Sequence, residues 1–384
     1  MTRKCYNKGR KIFNINEDVK KDLEHCNVLK EKTKVQSDKG EGQVGSGRIE
    51  KVKEIKKLKN NKIIPDIKLL EQDVLKSIIG QDSQVKKIVT AIYRSIYFDT
   101  LKSNVLIIGN SGTGKTETIR QIAKRLNIPY TIEDATKYTK EGYYGADVND
   151  MIYNLIENAN NDIKRAQHGI IIIDEIDKKV SDELESDISG SDVLKSLLKI
   201  IEGTKIKDGI IDFDTKNLIV IFMGAFSGLE KIREKRVEVN NIGFNYAKDF
   251  SIKQDESKTK FLKKDLVKFG MPEEFVGRID TIIEMNKLTK EDLVKILRNS
   301  NLSIFRKYQK ELKRKGIVLS YDGKLFELIA EKSMDLDTGA RELSNTVNYI
   351  FENIIYDVMA NPNKFQKCNL SLNIVNDNSK YTLL

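Results

Sequence analysis

The chain has 384 residues, enough for two or three domains, and a formal charge of +10 from 67 Lys and Arg against 57 Asp and Glu. That excess is local: residues 1–62 hold 18 basic and 9 acidic side chains, and the rest is within one charge of neutral, which argues against a nucleic-acid-binding body. Three scattered cysteines (Cys5, Cys26, Cys368) exclude a disulfide framework, the longest uncharged apolar stretch (218–229) is half a membrane span, and only His25 and His168 could serve a histidine metal site.

In chain order, residues 1–61 alternate lysine clusters with Asn, Ser and Gly, and SDKGEGQVGSGR (37–48) reads as a flexible linker. The basic N-terminus lacks the apolar core of a secretory signal, so a cytoplasmic setting is expected. From residue 63, apolar side chains recur at helical spacing, as in Leu69, Leu70, Val74, Leu75 and Ile78. NVLIIG (104–109) then reads as a strand, followed by a Gly-rich turn and a helix at 116–126. Further strands are expected at 127–134, 169–177 and 217–224, with helices at 147–160 and 191–203 between them. Strands that are apolar throughout, alternating with helices, predict a parallel sheet covered on both faces. Beyond residue 285 the pattern turns mainly helical. Thr289 with Asp292 predicts a capping box, and apolar faces recur at 325–334 and 340–359. The expected organisation is a basic, flexible tail (1–61), a large α/β domain (62–285) and a small, mainly helical domain (286–384).

Two motifs carry chemistry. Gly109-Asn110-Ser111-Gly112-Thr113-Gly114-Lys115-Thr116 fits G-x-x-x-x-G-K-[ST] at every fixed position. Glycines there let consecutive backbone N–H groups converge on phosphate oxygens at a helix N-terminus. Lys115 is expected to neutralise the β- and γ-phosphates of ATP, and the Thr116 hydroxyl to ligate Mg²⁺. The second motif is the run of isoleucines ending in Asp174-Glu175, which delivers two acids to a strand end. Asp174 would hold the metal shell, directly or through water, and Glu175 would polarise the attacking water. With metal partner and base both present, ATP hydrolysis is expected rather than binding alone.

These residues resemble the AAA+ P-loop unfoldases of the Clp/Hsp100 group, most closely the ClpX family, over roughly residues 65–360. Ile78-Ile79-Gly80-Gln81 is similar to the family's segment whose apolar residues contact adenine. Ile173-Asp174-Glu175-Ile176-Asp177-Lys178 is similar to its second nucleotide motif, and Ser189-Gly190 with the helix over 193–202 matches the stretch that follows. Glu274-Phe275-Val276-Gly277-Arg278 resembles the box whose arginine reaches a neighbouring subunit's nucleotide. Gly339-Ala340-Arg341 resembles the second sensor of the small domain. The resemblance implies a homo-hexameric ring in which Arg278 acts in trans and Arg341 in cis. Gly142-Tyr143-Tyr144-Gly145 resembles the aromatic pore loop that grips protein substrates, with Tyr143 as the gripping residue and Tyr144 replacing a usual small aliphatic one. Ile242-Gly243-Phe244 resembles the loop that such unfoldases insert into a ClpP-type peptidase.

Departures from the family pattern are also legible. The paired C-x-x-C motifs of the ClpX zinc-binding domain are absent, so no structural zinc is expected. The 203–213 region lacks the Arg-Lys-His pore-entrance signature, and the proline of the trans-arginine box is shifted to Met271-Pro272-Glu273. Met223-Gly224-Ala225-Phe226, at the first-sensor position, offers no polar side chain. HslU is the nearer rival for Ala135-Thr136-Lys137-Tyr138, but the interval from Gly145 to Ile170 is too short for that family's inserted domain. Beside the leading function, a translocating unfoldase, stand a protease-independent remodelling chaperone and a nucleic-acid motor using the basic tail. An inactive scaffold conflicts with the intact Lys115, Asp174 and Glu175. The tail reads as a solvated linker, with recognition of acidic partners as its sharper alternative.

Overall fold

A computed structural model describes residues 66–98, 103–138, 147–180, 188–208, 211–242, 260–334, 339–365, 368–375 and 378–383. The expected tail (1–61), the pore residues Gly142, Tyr143, Tyr144 and Gly145, and the docking residues Gly243 and Phe244 lie outside the described residues. Ile242 is the last residue of its helix.

Helices α1 (Ile67–Leu75) and α2 (Asp82–Tyr97) precede strand β1 (Val105–Ile108), and α3 (Lys115–Arg125) leads on to β2 (Tyr130–Asp134). Helices α4 (Asp150–Asn158) and α5 (Ile163–Ala166) return the chain to β3 (Ile170–Asp174). Next come α6 (Ile188–Glu202), a hairpin of β4 (Lys205–Asp208) and β5 (Ile211–Asp214), and β6 (Ile219–Gly224). Three helices, α7 (Leu229–Ile242), α8 (Lys263–Lys268) and α9 (Glu273–Gly277), precede β7 (Thr281–Glu284).

The main sheet has the order β2-β3-β6-β1-β7, with every pairing parallel. Its isoleucine-rich strands follow from burial on both sides. In β3, Ile170 and Ile172 pack with Ile119 and Ile122 of α3 on one face, while Ile171 and Ile173 pack with Leu155 of α4 and Leu197 of α6 on the other. Each such side chain contributes about 1.5–3 kcal/mol relative to exposure. Because all strands run the same way, their C-terminal ends share one edge. That edge receives the loop after β1, the acids at the end of β3 and the turn after β6. Ligand sites of open parallel sheets form there.

The small domain comprises α10 (Lys290–Asn299), α11 (Ile304–Arg314), β8 (Val318–Tyr321), α12 (Leu325–Met334), α13 (Ala340–Ala360), β9 (Asn369–Val375) and β10 (Asn378–Leu383). Phe305 sits at its centre, edge-on to Phe326 at 4.9 Å and to Phe351 at 5.3 Å between ring centroids. The expected capping box is present: the Thr289 hydroxyl accepts the Asp292 N–H at 3.2 Å, and the Asp292 carboxylate accepts the Thr289 N–H at 3.1 Å. Helices dominate the domain as the pattern implies, and a three-stranded sheet, β10-β9-β8, closes it. That sheet is absent from the sequence reading, although Leu370 and Leu372 alternate with polar residues in β9 and are buried.

Candidate active site

Local backbone geometry builds the loop after β1. Gly114 caps α3 in the left-handed region (φ 94°), as does Gly112 within the turn (φ 77°), and both conformations favour glycine. The loop is tied to neighbouring segments. Gly109 N–H donates to the Gly224 carbonyl at 3.1 Å, and Thr113 Oγ1 to the Asn110 carbonyl at 2.9 Å. Lys115 is buried, and its Nζ donates to the carbonyls of Gly109 and Asn110, the latter at 3.0 Å. Burial lowers its pKa below the usual lysine range, opposed by the nearby carboxylates of Asp174, Asp177 and Glu175, while Arg341 adds to the lowering.

Across the sheet edge, Thr116 Oγ1 at the start of α3 donates to Asp174 Oδ2 at 3.2 Å, although β6 lies between β1 and β3. Glu175 follows in the left-handed region (φ 57°), a strained backbone for a non-glycine, and its N–H donates to Asp174 Oδ1 at 2.9 Å. The two acids therefore face different groups. Asp174 is turned to the loop hydroxyl, and the Glu175 side chain is exposed.

A cleft of about 820 Å³ lies over this edge. Ile78, Ile79, Ser111, Gly112, Thr113, Gly114, Lys115, Thr116, Asp174, Glu175 and Arg341 all line it, so most of the expected site residues converge. Gly109 and Asn110 instead face an adjoining cleft of about 800 Å³ beside Met285. The small domain contributes directly: the Ala340 N–H, first in α13, donates to the Gly112 carbonyl at 3.2 Å. The N-termini of α3 and α13 thus both open on the cleft with Lys115 and Arg341. This combination suits a polyphosphate. The donor pair of a threonine hydroxyl and an aspartate carboxylate suits a hard, oxygen-seeking cation such as Mg²⁺.

Arg278 is not in this cleft. It sits just ahead of β7, where Asn104 donates through Nδ2 to its carbonyl at 3.1 Å, and its guanidinium pairs with Glu202 at 2.5 Å. Val105 pairs with Thr281, so Arg278 lies at the N-terminal edge of the sheet, about 13 Å of strand from the cleft.

Several positioning groups escaped the sequence reading. Gln81 is fully buried, and donates to the carbonyls of Thr113 (3.3 Å) and Asn286 (2.9 Å) while accepting the Asn286 N–H at 2.9 Å. Ser300 Oγ donates to the Ser77 carbonyl at 2.7 Å, and Asn301 N–H to that of Lys76 at 3.0 Å. These bonds fasten the 76–81 segment to the loop on one side and the small domain on the other. Their partners lie more than 200 residues apart for all but the Gln81–Thr113 bond, so no local signal could have paired them. The hairpin β4–β5 occupies the region that lacks the Arg-Lys-His signature.

Residues 100–282 match the family model described as AAA domain (Cdc48 subfamily), and residues 288–368 match the one described as the C-terminal, D2-small domain, of ClpB protein. Curated relatives carry the name ATP-dependent Clp protease ATP-binding subunit ClpX. That of Treponema denticola is 36% identical over 339 residues, covering 81% of this chain and 80% of its own. Those of Borrelia duttonii and Borrelia recurrentis are each 35% identical over 321 residues, covering 77% of this chain and 75% of theirs.

Proposed function

The chain belongs to the ClpX family of AAA+ ATPases, and from that premise we propose that it unfolds proteins, as a homo-hexameric ring threading polypeptide through a central pore into a ClpP-type peptidase. The observation that carries the reading is the cleft that gathers the phosphate loop, Asp174, Glu175 and the small-domain Arg341 around one space. Nucleotide binding and ATP hydrolysis come with the family; the roles of the cleft residues rest on geometry and chemistry, and those of the pore and docking segments on the family resemblance.

Backbone N–H groups at the start of α3 and the Lys115 ammonium would hold the β- and γ-phosphates. Lys115 must exchange its carbonyl partners in the loop for phosphate oxygens. Thr116 and Asp174 would hold Mg²⁺, which when bound supplies charge neutralisation to the phosphates. Glu175 accepts a proton from the attacking water. Arg341, on the helix that touches Gly112, links the phosphates to the small domain, so the angle between domains follows the nucleotide. The distance of Arg278 from its own cleft supports action on the neighbour's nucleotide, which makes hydrolysis depend on assembly. Ile78 and Ile79 offer an apolar surface to adenine. Tyr143 and Tyr144, between Gly142 and Gly145, supply sequence-tolerant contacts to a moving chain. Ile242, Gly243 and Phe244 supply the peptidase anchor.

Two substitutions test this. Glu175→Gln is expected to bind ATP with affinity near wild type and to lower turnover at least about a hundredfold; wild-type turnover would remove Glu175 as the base. Tyr143→Ala is expected to keep ATPase activity yet fail to unfold a stable, tagged fluorescent protein. Unchanged unfolding by that variant contradicts the pore assignment.

A further inference from the structure

The turn after β6 reaches the cleft with Ala225, an apolar residue, while its polar side chain, Ser227, lines the adjoining cleft. What fixes that turn is Asp177, two residues beyond Glu175. Its Oδ2 accepts the Phe226 N–H at 3.0 Å. Phe226 is itself left-handed (φ 53°), with its ring buried in the core. The other oxygen, Oδ1, is buried and has no hydrogen-bond partner among the described residues. It lies 2.4 Å from where a Cβ on Gly224 would stand, so only glycine lets the carboxylate approach. Gly224 in turn accepts the Gly109 N–H at 3.1 Å. One carboxylate thereby locks the ends of β3 and β6 together, and Gly224 passes the lock to the start of the phosphate loop.

A buried carboxylate oxygen without a protein partner is costly, and a role in positioning is one explanation for keeping it. We propose that Asp177 is a positioning residue for ATP hydrolysis. Its bond to Phe226 makes the Glu175 turn and the Ala225 wall of the cleft move as one body. Main-chain geometry thus takes over the role of a polar first sensor. The proposal rests on Glu175 as the base.

The test is a set of full-length variants, Asp177→Ala, Asp177→Asn, Gly224→Ala and the double Asp177→Ala/Gly224→Ala. ATP turnover, affinity for a fluorescent ATP analogue, and Tm are measured on each. Asp177→Ala is expected to slow turnover at least about tenfold with affinity within about threefold of wild type. Asp177→Asn keeps an oxygen that accepts the Phe226 N–H, and is expected within about threefold of wild-type turnover. Gly224→Ala forces its methyl against Oδ1 and lowers Tm. The double variant places that methyl in the space the carboxylate leaves and keeps only its contact with the Phe226 ring, 2.8 Å from Cε2. Its Tm rises above that of Gly224→Ala while turnover stays as low as in Asp177→Ala. Recovery of turnover along with Tm would reduce Asp177 to packing and overturn the proposal, as would an Asp177→Asn variant as slow as Asp177→Ala. Failure of the base assignment looks different: Glu175→Gln then turns over like wild type while the Asp177 series keeps its pattern.

Discussion

A single buried amide, Gln81, holds three segments of the cleft at once, and its loss measures how far nucleotide affinity depends on that bracing. Replacing it with alanine leaves the carbonyls of Thr113 and Asn286 and the Asn286 N–H without their protein partner. Each such group costs about 1–3 kcal/mol if it stays dry. Because Thr113 belongs to the phosphate loop, Gln81→Ala is expected to raise KM for ATP at least about fivefold and to reduce kcat less. Steady-state kinetics beside thermal unfolding check this, and a lowered Tm with unchanged KM would confine Gln81 to stability. At this scale the sequence showed the groups that carry charge or bind backbone in a fixed local pattern, such as Lys115, Thr116, Asp174 and Glu175. It did not show Gln81 as a brace or Asp177 as a lock, because both act on segments brought close only by the sheet.

Elements were legible in proportion to how one-sided their chemistry is. The uninterrupted Ile170-Ile171-Ile172-Ile173 announces a strand buried on both faces, and the cap and apolar face of α10 mark a helix. By contrast, β7 offers only Thr281-Ile282-Ile283-Glu284, and β4 and β5 are short and rich in Lys and Asp, so none stood out. The pairing of α7 with α8 was equally hidden. Arg236 and Asp265 are buried to 5% and 0% exposure and meet at 2.8 Å. Arg236 also donates to the Lys260 carbonyl at 3.0 Å, and Asp265 accepts the Leu262 N–H at 2.9 Å. Removing one member strands a buried charge. Arg236→Met is therefore expected to cost about 3–5 kcal/mol in denaturant unfolding. Arg236→Met with Asp265→Asn is expected to cost less than the sum of the two single changes. Strict additivity would show that the ion pair is not what joins these helices.

For the molecule as a whole, the two arginines divide the labour. Arg341 joins the small domain to the cleft of its own chain, where α13 already touches Gly112. Arg278 stands at the far edge of the sheet, paired with Glu202 and out of reach of that cleft. In the proposed ring, a neighbour's Arg278 would complete each catalytic centre and tie ATP turnover to assembly. The charge that first pointed to nucleic acid belongs to residues 1–62 and not to this machinery. The central claim, ATP-driven unfolding delivered to a peptidase, is tested most directly by one measurement. The protein is mixed with ATP, a ClpP-type peptidase and a tagged fluorescent substrate, and fluorescence is followed over time beside a Phe244→Ala variant. Fluorescence is expected to fall only with ATP and to yield peptides with the wild type, while Phe244→Ala hydrolyses ATP but yields none. ATP turnover with intact fluorescence and no peptides from the wild type would contradict the account.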